Sequence, residues 1–398
     1  MKMKKILSLV LSFVMLTVCL SPLGVQAKTD VIKPLDEKNV KLHFIAWGDP
    51  QVSNYLSERR PYLQSSAYDV TNNKSSKLDA LVLAGDITEN SIQDEWEWVY
   101  EDIRNIGVKN YITATGNHDI RIHEYETVKD SFVNFTNRLN RRAKSKLRIK
   151  KLYYSYTVNG YKFIVLGSEL ATFEEAELSA KQLKWLDKEL KSAYKKNHPT
   201  FVIAHQPLKN THGLPDTWDS PISSAGSIGN QSDKVKKILN KYPNTIFITG
   251  HLHTGFGKYT YQRIGNFHSV NLPSLTIDNE DGTYNENGIG YTVEVYDGKV
   301  VFRARNFDKG VYVPKYDINI NLYIKNIKLS KKSYKYDGKA KKPTVTVKDV
   351  YGKKVAKKYY IVKYQKGRKN PGKYKVKVTF KGKYKKAGTI TKTFKIKK

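Results

Sequence analysis

The sequence predicts an α/β fold followed by a small all-β domain. Between residues 42 and 253, five apolar runs typical of buried strands each end at polar residues. Segments with the apolar spacing of amphipathic helices follow several of these runs. From about residue 323 the pattern changes to alternating polar and apolar residues separated by glycine turns, which is typical of antiparallel strands.

The polar residues at the strand ends form the candidate site. The run 81–86 ends at Asp86, and a glycine directly before it lets the backbone turn. The other four runs end at further carboxylate, amide and imidazole side chains: Asp49 and Gln51; Asn117, His118 and Asp119; His205; and His251 and His253. Because parallel strands of an open α/β sheet place their carboxyl ends along one edge, we expect these side chains to converge, with Asp86 near the middle.

The first part of the chain repeats a unit of strand, polar loop and helix. Strands are predicted at 42–48, 81–86 and 111–116, and helices at about 55–69, 92–106 and 124–142. Ser91 and Asp94 have the spacing of a capping box, which predicts that the second helix begins there. These repeats are typical of parallel βαβ units.

The pattern changes from residue 152 onward. Tyr154, Tyr156 and Val158 alternate with polar residues, and Asn159-Gly160 is a strong signal for a type I′ turn, so we predict an antiparallel hairpin ending near Leu166. Further elements are predicted in the order helix 179–194, long loop 207–231, helix 232–241, and strands 262–270, 290–296 and 299–305. This part therefore mixes parallel units with antiparallel hairpins.

Residues 1–27 have the pattern of a signal peptide. Lys2, Lys4 and Lys5 precede an apolar run, and small residues near Ala27 fit a cleavage site, so we expect a secreted chain beginning near Lys28. A membrane anchor and lipid attachment at Cys19 are the alternatives. Cys19 is the only cysteine, so a cleaved chain would contain no thiol. That excludes cysteine catalysis and thiolate metal ligation and fits an oxidising exterior.

Charge divides the chain into two parts. Residues 323–398 contain 28 Lys or Arg and two acids, a net charge of +26, whereas the remainder contains 42 basic and 35 acidic residues, a net charge of +7. We predict a domain at 28–306, a linker at 307–322 with Gly310 and Pro314, and a Lys/Tyr-rich β domain at 323–398.

Carboxylate, imidazole and amide groups without any thiolate suit hard or borderline divalent metals such as Mn, Fe or Zn. The strand-end residues are too many for one ion. Asp86 shared between two ions about 3.5–4 Å apart explains the number, and that arrangement clamps the attacking and leaving oxygens of a phosphoryl displacement.

The order of the motifs resembles the calcineurin-like metallophosphoesterase superfamily. The motifs are D-x-Q at 49, G-D-x-x-E at 85, G-N-H-D at 116, the lone His205 and G-H-x-H at 250, and they cover about residues 42–307. The resemblance implies a β-sandwich flanked by helices. It also implies one metal held by Asp49, Gln51, Asp86 and His253, and a second held by Asp86, Asn117, His205 and His251.

The same resemblance implies the catalytic roles. His118 would face a phosphate-ester substrate and assist the leaving oxygen, Asp119 would fix its tautomer, and a metal-bridging hydroxide would attack phosphorus. Most of the superfamily has histidine where this chain has Gln51, a weaker donor, so the first metal would bind loosely. For Glu89, where the purple acid phosphatase branch has a tyrosine ligand, we favour a solvated residue near a helix start over an outer-shell ligand.

The β domain resembles the Ig-like modules repeated in bacterial surface proteins, from Leu329 through Tyr334, Tyr336 and Gly338. That implies a spacer or wall-binding role, with an anionic cell-wall polymer or a membrane surface as partner. Lysines with nine interleaved tyrosines also leave nucleic acid open as a partner.

Three functions are therefore compared. The first is a secreted phosphoesterase acting on phosphomonoesters or phosphodiesters; the second is a non-catalytic surface protein on a degenerate scaffold; the third is a nuclease helped by the basic domain. Secondary candidates each have a competing structural role: Arg121 and His123 as a phosphate clamp or a helix start, and His212, Trp218 and Asp219 as substrate contacts or loop packing. We assign Arg59 and Arg60 to an exposed helix face, and structural or surface roles to His43, His198 and His268.

Overall fold

A computed structural model describes residues 29–171, 173–195, 197–214 and 226–398. The predicted signal segment at 1–27, Trp218 and Asp219 lie outside these described residues. Within the described ranges, none of the helices has the length and apolar character of a membrane span.

The first part of the chain is a mixed α/β domain, as predicted. Its strands are β1 (Leu42–Trp47), β2 (Ala80–Ala84), β3 (Tyr111–Ala114), β4 (Tyr154–Val158), β5 (Tyr161–Val165), β6 (Thr200–Ile203), β7 (Thr245–Thr249), β8 (Tyr261–Ile264), β9 (Phe267–Asn271), β10 (Ile289–Tyr296), β11 (Lys299–Asn306), β12 (Val311–Tyr312) and β13 (Ile318–Asn321). Its α-helices are α1 (Arg59–Asn72), α2 (Gln93–Ile103), α3 (Tyr125–Arg142), α4 (Ala180–Ala193) and α5 (Ser232–Asn240).

These strands form two sheets rather than one open sheet. The first has the order β12-β11-β10-β1-β2-β3, with β13 also on β11, and the second has the order β4-β5-β6-β7-β9-β8. The strands β1, β2 and β3 are parallel, as are β5, β6, β7 and β9. Phe44 of the first sheet contacts Phe163 and Phe201 of the second, with ring centroids 5.4 and 5.2 Å apart. The five strand ends are therefore divided between the two sheets of a sandwich.

Helices cover the outer faces of the sandwich and bury apolar side chains against the sheets. Val99 of α2 and Phe132 of α3 are buried in the core that contains the first sheet. Leu186 of α4 and Val235 of α5 are buried in a second core against the other sheet. The resulting layers are helix, sheet, sheet and helix, which fixes the strand ends from both sides.

Several local predictions are confirmed. Asn159 and Gly160 have φ angles of +49° and +83°, as the type I′ turn between β4 and β5 requires. Helix α3 begins one residue after the predicted start and ends where predicted. Ser179 caps α4, since its side chain accepts a hydrogen bond from the Gln182 amide at 3.1 Å.

Two local predictions are wrong. No side chain caps the start of α2, and the Ser91 Oγ accepts instead from the indole of Trp96 at 3.2 Å. In the loop just before α2, the Asn90 backbone amide instead donates a hydrogen bond to the Glu95 carboxylate at 2.7 Å. The single strand predicted at 262–270 is the hairpin β8–β9, which turns at Gly265 with a φ of +59°.

The segment predicted as a linker, 307–322, is part of the first domain. Its strand β13 pairs with β11, and its strand β12 pairs with the other end of β11. Ile320 and Leu322 are buried in the core of the sandwich. Gly310 and Pro314 therefore mark turns within an edge of the sheet rather than a flexible connection.

The C-terminal part is all β, as predicted. Its strands are β14 (Ile324–Leu329), β15 (Ser333–Lys335), β16 (Val345–Asp349), β17 (Tyr360–Tyr364), β18 (Gly372–Phe380) and β19 (Thr389–Lys397). They form the sheets β14-β16 and β15-β19-β18-β17 around a separate core. Strand β18 buries Tyr374 and Val376 and exposes Lys375 and Lys377, so the alternation of the sequence separates core from surface.

Candidate metal centre

The predicted ligands lie where strands of both sheets end. Asp49 and Gln51 follow β1, Asp86 follows β2 and Asn117 follows β3, whereas His205 follows β6, and His251 and His253 follow β7. Five of these seven residues have positive φ angles: Asp49 (+46°), Gln51 (+34°), Asp86 (+43°), His251 (+76°) and His253 (+46°). Left-handed backbone is uncommon for residues other than glycine and concentrates at functional sites.

Asp86 joins two clusters of possible metal ligands. Its carboxylate lies with His205 and His251 in one cluster, and with Asp49 and His253 in the other. Within each cluster the ligand atoms lie within 4.8 Å of one another. The sharing of Asp86 predicted from the sequence is therefore geometrically available.

His205 is oriented for metal binding. Its Nδ1 lies 2.8 Å from the carbonyl oxygen of Ala84, which can only accept, so Nδ1 carries a hydrogen and Nε2 is the nitrogen that faces the other candidate ligands. This Nε2 lies 3.0 Å from Asp86 Oδ2 and 3.1 Å from both Asn117 Oδ1 and His251 Nδ1. A backbone carbonyl that holds the other ring nitrogen is the usual partner of a ligating histidine.

These spacings fit a bound divalent ion. Four ligands at about 2.0–2.1 Å from a tetrahedral ion lie roughly 3.3–3.4 Å apart. His253 Nε2 lies 3.3 Å from Asp49 Oδ1 in the second cluster, close to that value. The buried Oε1 of Gln51 has no hydrogen-bond partner among the described residues, which is the condition of an oxygen that a cation would satisfy.

Glycines let the ligand loops approach each other. A Cβ on Gly116 would lie 1.9 Å from Asp86 Oδ1, and one on Gly250 would lie 2.4 Å from Asp49 Oδ2. The G-N-H-D and G-H-x-H motifs therefore need glycine for space beside the carboxylates.

The buried charges perturb each other strongly. Burial raises the pKa of Asp86, but the charge and hydrogen bond of His205 outweigh it and hold the pKa well below its usual value. Burial lowers the pKa of His205, but Asp86 and Asp49 outweigh it and raise the pKa to about 9. For His251, burial and the neighbouring His205 together lower the pKa well below 6.5. Such opposed shifts are typical of functional sites.

His118 borders this centre and remains partly exposed. Its backbone amide donates to Asp86 Oδ1 at 2.9 Å, so the loop places the ring beside the shared carboxylate. The ring Nδ1 lies 3.2 Å from Glu89 Oε1, and Nε2 lies 3.0 Å from Gln51 Nε2. Burial lowers the pKa of His118, but Glu89 and Asp86 outweigh it and raise the pKa.

Asp119 has a different place from the predicted one. Its carboxylate accepts from the amides of Gly116 (2.9 Å), Ile87 (3.1 Å) and Thr88 (2.9 Å) and from Thr88 Oγ1 (2.8 Å). Burial and Asp86 raise its pKa to about 6, against these backbone hydrogen bonds, which lower it. Asp119 thus ties the loops after β2 and β3 together, and the carboxylate beside the His118 ring is that of Glu89.

Glu89 is buried in the site, so our preference for a solvated residue is wrong. It accepts a hydrogen bond from Gln51 Nε2 at 2.7 Å and is paired with Arg59, which is itself mostly buried rather than exposed. Burial raises the pKa of Glu89, but His118, Gln51 and Arg59 outweigh it and lower the pKa to about 2. The G-D-x-x-E spacing contained this residue, but its role was not visible without the position of Gln51.

Glu174 is a site residue that the sequence analysis missed. Its carboxylate accepts from Asn117 Nδ2 at 2.7 Å and pairs with Arg121 at 3.1 Å. Arg121 also lies over the ring of Phe173, 4.9 Å from its centroid, and Phe173 is 72% exposed. The loop after β5 therefore reaches across the sandwich to the centre, and nothing in its local sequence signals that contact.

The remaining histidines are structural. His212 is fully buried between the carbonyl of Tyr259 (2.6 Å) and Ser269 Oγ (2.7 Å), so loop packing explains it. His123 contacts the carbonyl of Asn90 at 2.9 Å, rather than the metal centre. The others also pack: His198 stacks on Tyr161, His43 is buried, and His268 contacts Tyr261.

The two-sheet sandwich and the carboxylate shared between two ligand clusters define a candidate binuclear metal scaffold. The family model for calcineurin-like phosphoesterases matches residues 43–255, more than half of the chain. The chain belongs to the calcineurin-like phosphoesterase family. Family membership and the two clusters support the binding of divalent metals. The enzyme class expected from the sequence, a metal-dependent phosphoric ester hydrolase, agrees with this family.

Two known proteins show the extent of the similarity. The chain is 25% identical over 199 residues to a 3',5'-cyclic-nucleotide phosphodiesterase of Nostoc sp., a match that covers 50% of this chain and 63% of that protein. It therefore spans less than two thirds of that relative's length. The crystal structure of a dimetal phosphatase from Danio rerio matches with a TM-score of 0.51 and 14% identity, over 71% of this chain and 100% of that chain. At this identity the second similarity concerns the fold.

Proposed function

We propose that this chain is a binuclear-metal phosphoesterase that hydrolyses phosphomonoesters or phosphodiesters. The observation that carries the proposal is that Asp86 belongs to both ligand clusters. Two divalent ions held there would polarise the phosphoryl oxygens and acidify water. Asp49, Gln51 and His253 would complete one site, and the other would be completed by Asn117, His205 and His251.

The chain's own residues supply the remaining steps of the reaction. His118 contacts the shared Asp86 through its amide and Gln51 through its ring, and it is partly exposed, so its ring can donate a proton to the leaving oxygen of the ester. Glu89 orients that ring, and Asp119 holds the loop that carries it. Arg121 lies 3.0 Å from the His118 ring and offers a cation for the substrate phosphate.

The rim of the site favours a substrate with a flat ring beside the phosphate. Phe173 and Tyr55 are 72% and 62% exposed, and Arg121 lies over the Phe173 ring. An exposed aromatic face beside a guanidinium suits stacking on a nucleobase. Since the relative from Nostoc is named a 3',5'-cyclic-nucleotide phosphodiesterase, cyclic nucleotides are the first substrates to test.

The test is turnover of a substrate panel by the purified chain. Chromogenic monoester and diester substrates and 3',5'-cyclic nucleotides are assayed with Mn²⁺, after chelation and after Mn²⁺ is restored, with Asp86→Asn as the inactive control. We expect activity that is lost on chelation, regained with Mn²⁺ and absent from the variant. A chain that binds two metal ions but hydrolyses none of the substrates would favour the non-catalytic surface protein.

We further propose that the chain is secreted and that an Ig-like basic domain holds it at an anionic cell-wall polymer or membrane surface. The support is the pattern of residues 1–27 and the exposure of lysines such as Lys375 and Lys377 on β18. Binding to anionic vesicles at low salt, weakened at high salt and lost on deletion of 323–398, is expected. Selective loss of polynucleotide cleavage in that deletion would instead favour the nuclease.

A further inference from the structure

A cavity of about 760 Å³ lies between the two domains, lined by β8, β9 and β11 on one side and by β14 and β19 on the other. Five cationic side chains line it, Arg263, Lys299, Lys325, Lys386 and Lys392, with Asp297 as the one acid in this lining. Asp297 is already paired with Lys386 at 2.8 Å. Among the described residues, no ion pair joins the other four cations to an acid, so the cleft has excess positive charge.

Arg263 is held by neutral groups alone. Its Nη1 lies 2.9 Å from His268 Nε2, and its Nη2 donates to the carbonyl of Asn266 at 3.1 Å. Its buried Nε has no hydrogen-bond partner among the described residues. Lys325 donates to the side-chain oxygen of the same Asn266 at 2.9 Å, which places a second cation beside the guanidinium.

A chain of hydrogen bonds leaves a further donor in the cleft wall. Arg263 can only donate, so His268 Nε2 accepts and His268 Nδ1 carries the hydrogen. That hydrogen is donated to the Tyr261 hydroxyl oxygen, 2.9 Å away, and leaves the Tyr261 hydrogen for another acceptor. The cleft wall therefore presents two cations and a hydroxyl donor side by side.

The surroundings of Lys325 and Arg263 disfavour their charged forms. Burial lowers the pKa of Lys325, and the nearby Arg263 and Lys348 lower it further. Burial likewise lowers the pKa of Arg263. A multivalent anion would favour the charged forms of both side chains.

We propose that this cleft binds a phosphate-bearing anion at a site separate from the metal centre. A phosphate group carries about −1.5 to −2 charges at neutral pH and three acceptor oxygens, which suits a wall of donors. His268 pairs with Ile246 at the beginning of β7, whereas His251 follows the end of the same strand. The cleft and the metal centre therefore lie toward opposite ends of the second sheet.

Calorimetric titration of the full-length, metal-loaded chain with inorganic phosphate tests this proposal. We expect two binding events, one at the metal centre and one in the cleft. Arg263→Gln should weaken the cleft event about tenfold or more and leave the other unchanged. Lys325→Gln should also weaken the cleft event, and it keeps the test valid if Arg263→Gln does not fold.

Lys369→Gln is the matched control, since this exposed lysine lies in the turn before β18, whereas the cleft residues Thr389 and Lys392 pair with Thr379 and Val376 further along that strand. It should leave both events unchanged. An absent cleft event, unchanged affinity in both cleft variants, or equal weakening in Lys369→Gln would overturn the proposal. Linear polyphosphate then tests whether the cleft takes a polymer or free phosphate. It is titrated into the chelator-treated chain, because polyphosphate itself binds metals. Tighter binding than inorganic phosphate through the same residues indicates a polymer, and weaker binding indicates the free anion.

Discussion

Glu89→Gln should loosen one metal without disturbing the other. The Glu89 carboxylate accepts from Gln51 Nε2 at 2.7 Å, and because a carboxylate can only accept, it fixes which end of the Gln51 amide faces it. Gln51 Oε1 is thereby left as a buried oxygen for a metal. A glutamine at position 89 can donate as well as accept, so the Gln51 amide could turn and withdraw that oxygen.

The expected magnitude follows from the type of contact. A hydrogen bond to a charged, buried group contributes about 1.5–3 kcal/mol. Loss of a partner that orients a metal ligand usually lowers metal affinity by about 10–100-fold, a similar free energy. We expect that loss for the ion held by Asp49, Gln51, Asp86 and His253, while the ion beside His205 keeps its affinity.

Metal content after equilibration with stepped concentrations of free Mn²⁺ measures the effect. Asp102→Asn is the control, because its carboxylate resembles that of Glu89. Glu89 pairs with Arg59 of α1 and Asp102 pairs with the adjacent Arg60, and both acidic side chains are 8% exposed. We expect Asp102→Asn to bind two ions like the unchanged chain. Two ions bound by Glu89→Gln with unchanged affinity, or equal loss in both variants, would refute the reasoning.

Three further substitutions test other parts of the site and fold. His118→Ala should lower turnover by about 10²–10⁴-fold with metal content near two ions, because in the proposed reaction His118 acts on the substrate and is not a metal ligand; stoichiometric loss of metal would contradict that role. Gly116→Ala should displace Asp86, since the new Cβ would lie 1.9 Å from Asp86 Oδ1. We expect lower metal content, and a free energy of unfolding in urea that is lower by about 1–3 kcal/mol. An unchanged variant would contradict the close packing. Burial lowers the pKa of His212 to about 4, so its protonation favours the unfolded chain and the free energy of unfolding should fall by up to about 1.4 kcal/mol per pH unit from pH 6.5 toward 4. His212→Asn should reduce that slope and leave the contributions of His43, His251 and His268, whose pKa values burial also lowers; an unchanged slope would contradict the assignment.

The positions of the ligands could be predicted from the sequence because each motif is local. An apolar strand followed by a polar residue determines that Asp86 or His251 emerges at a strand end. The division of the strands between two sheets depends on packing such as that of Phe44 against Phe163 and Phe201, which joins residues over 100 positions apart. Strand-end patterns alone do not record which sheet a strand joins.

Residues that act through partners were harder to predict. Glu89 and Asp119 both follow the expected spacing, but their roles depend on which donors face them: the Gln51 amide in one case and three backbone amides in the other. Glu174 lies in an irregular loop with no periodic pattern, and only the folded chain brings it to Asn117. Residues 307–322 carried turn signals, yet pairing along β11 overrides them.

The central claim is that Asp86 touches two metal ions at once, and a crystal structure of the Mn²⁺-loaded chain with anomalous data tests it most directly. We expect two anomalous peaks about 3.5–4 Å apart, each bonded to an Asp86 carboxylate oxygen. Two peaks of which only one contacts Asp86, or a single peak at saturating Mn²⁺, would contradict the account.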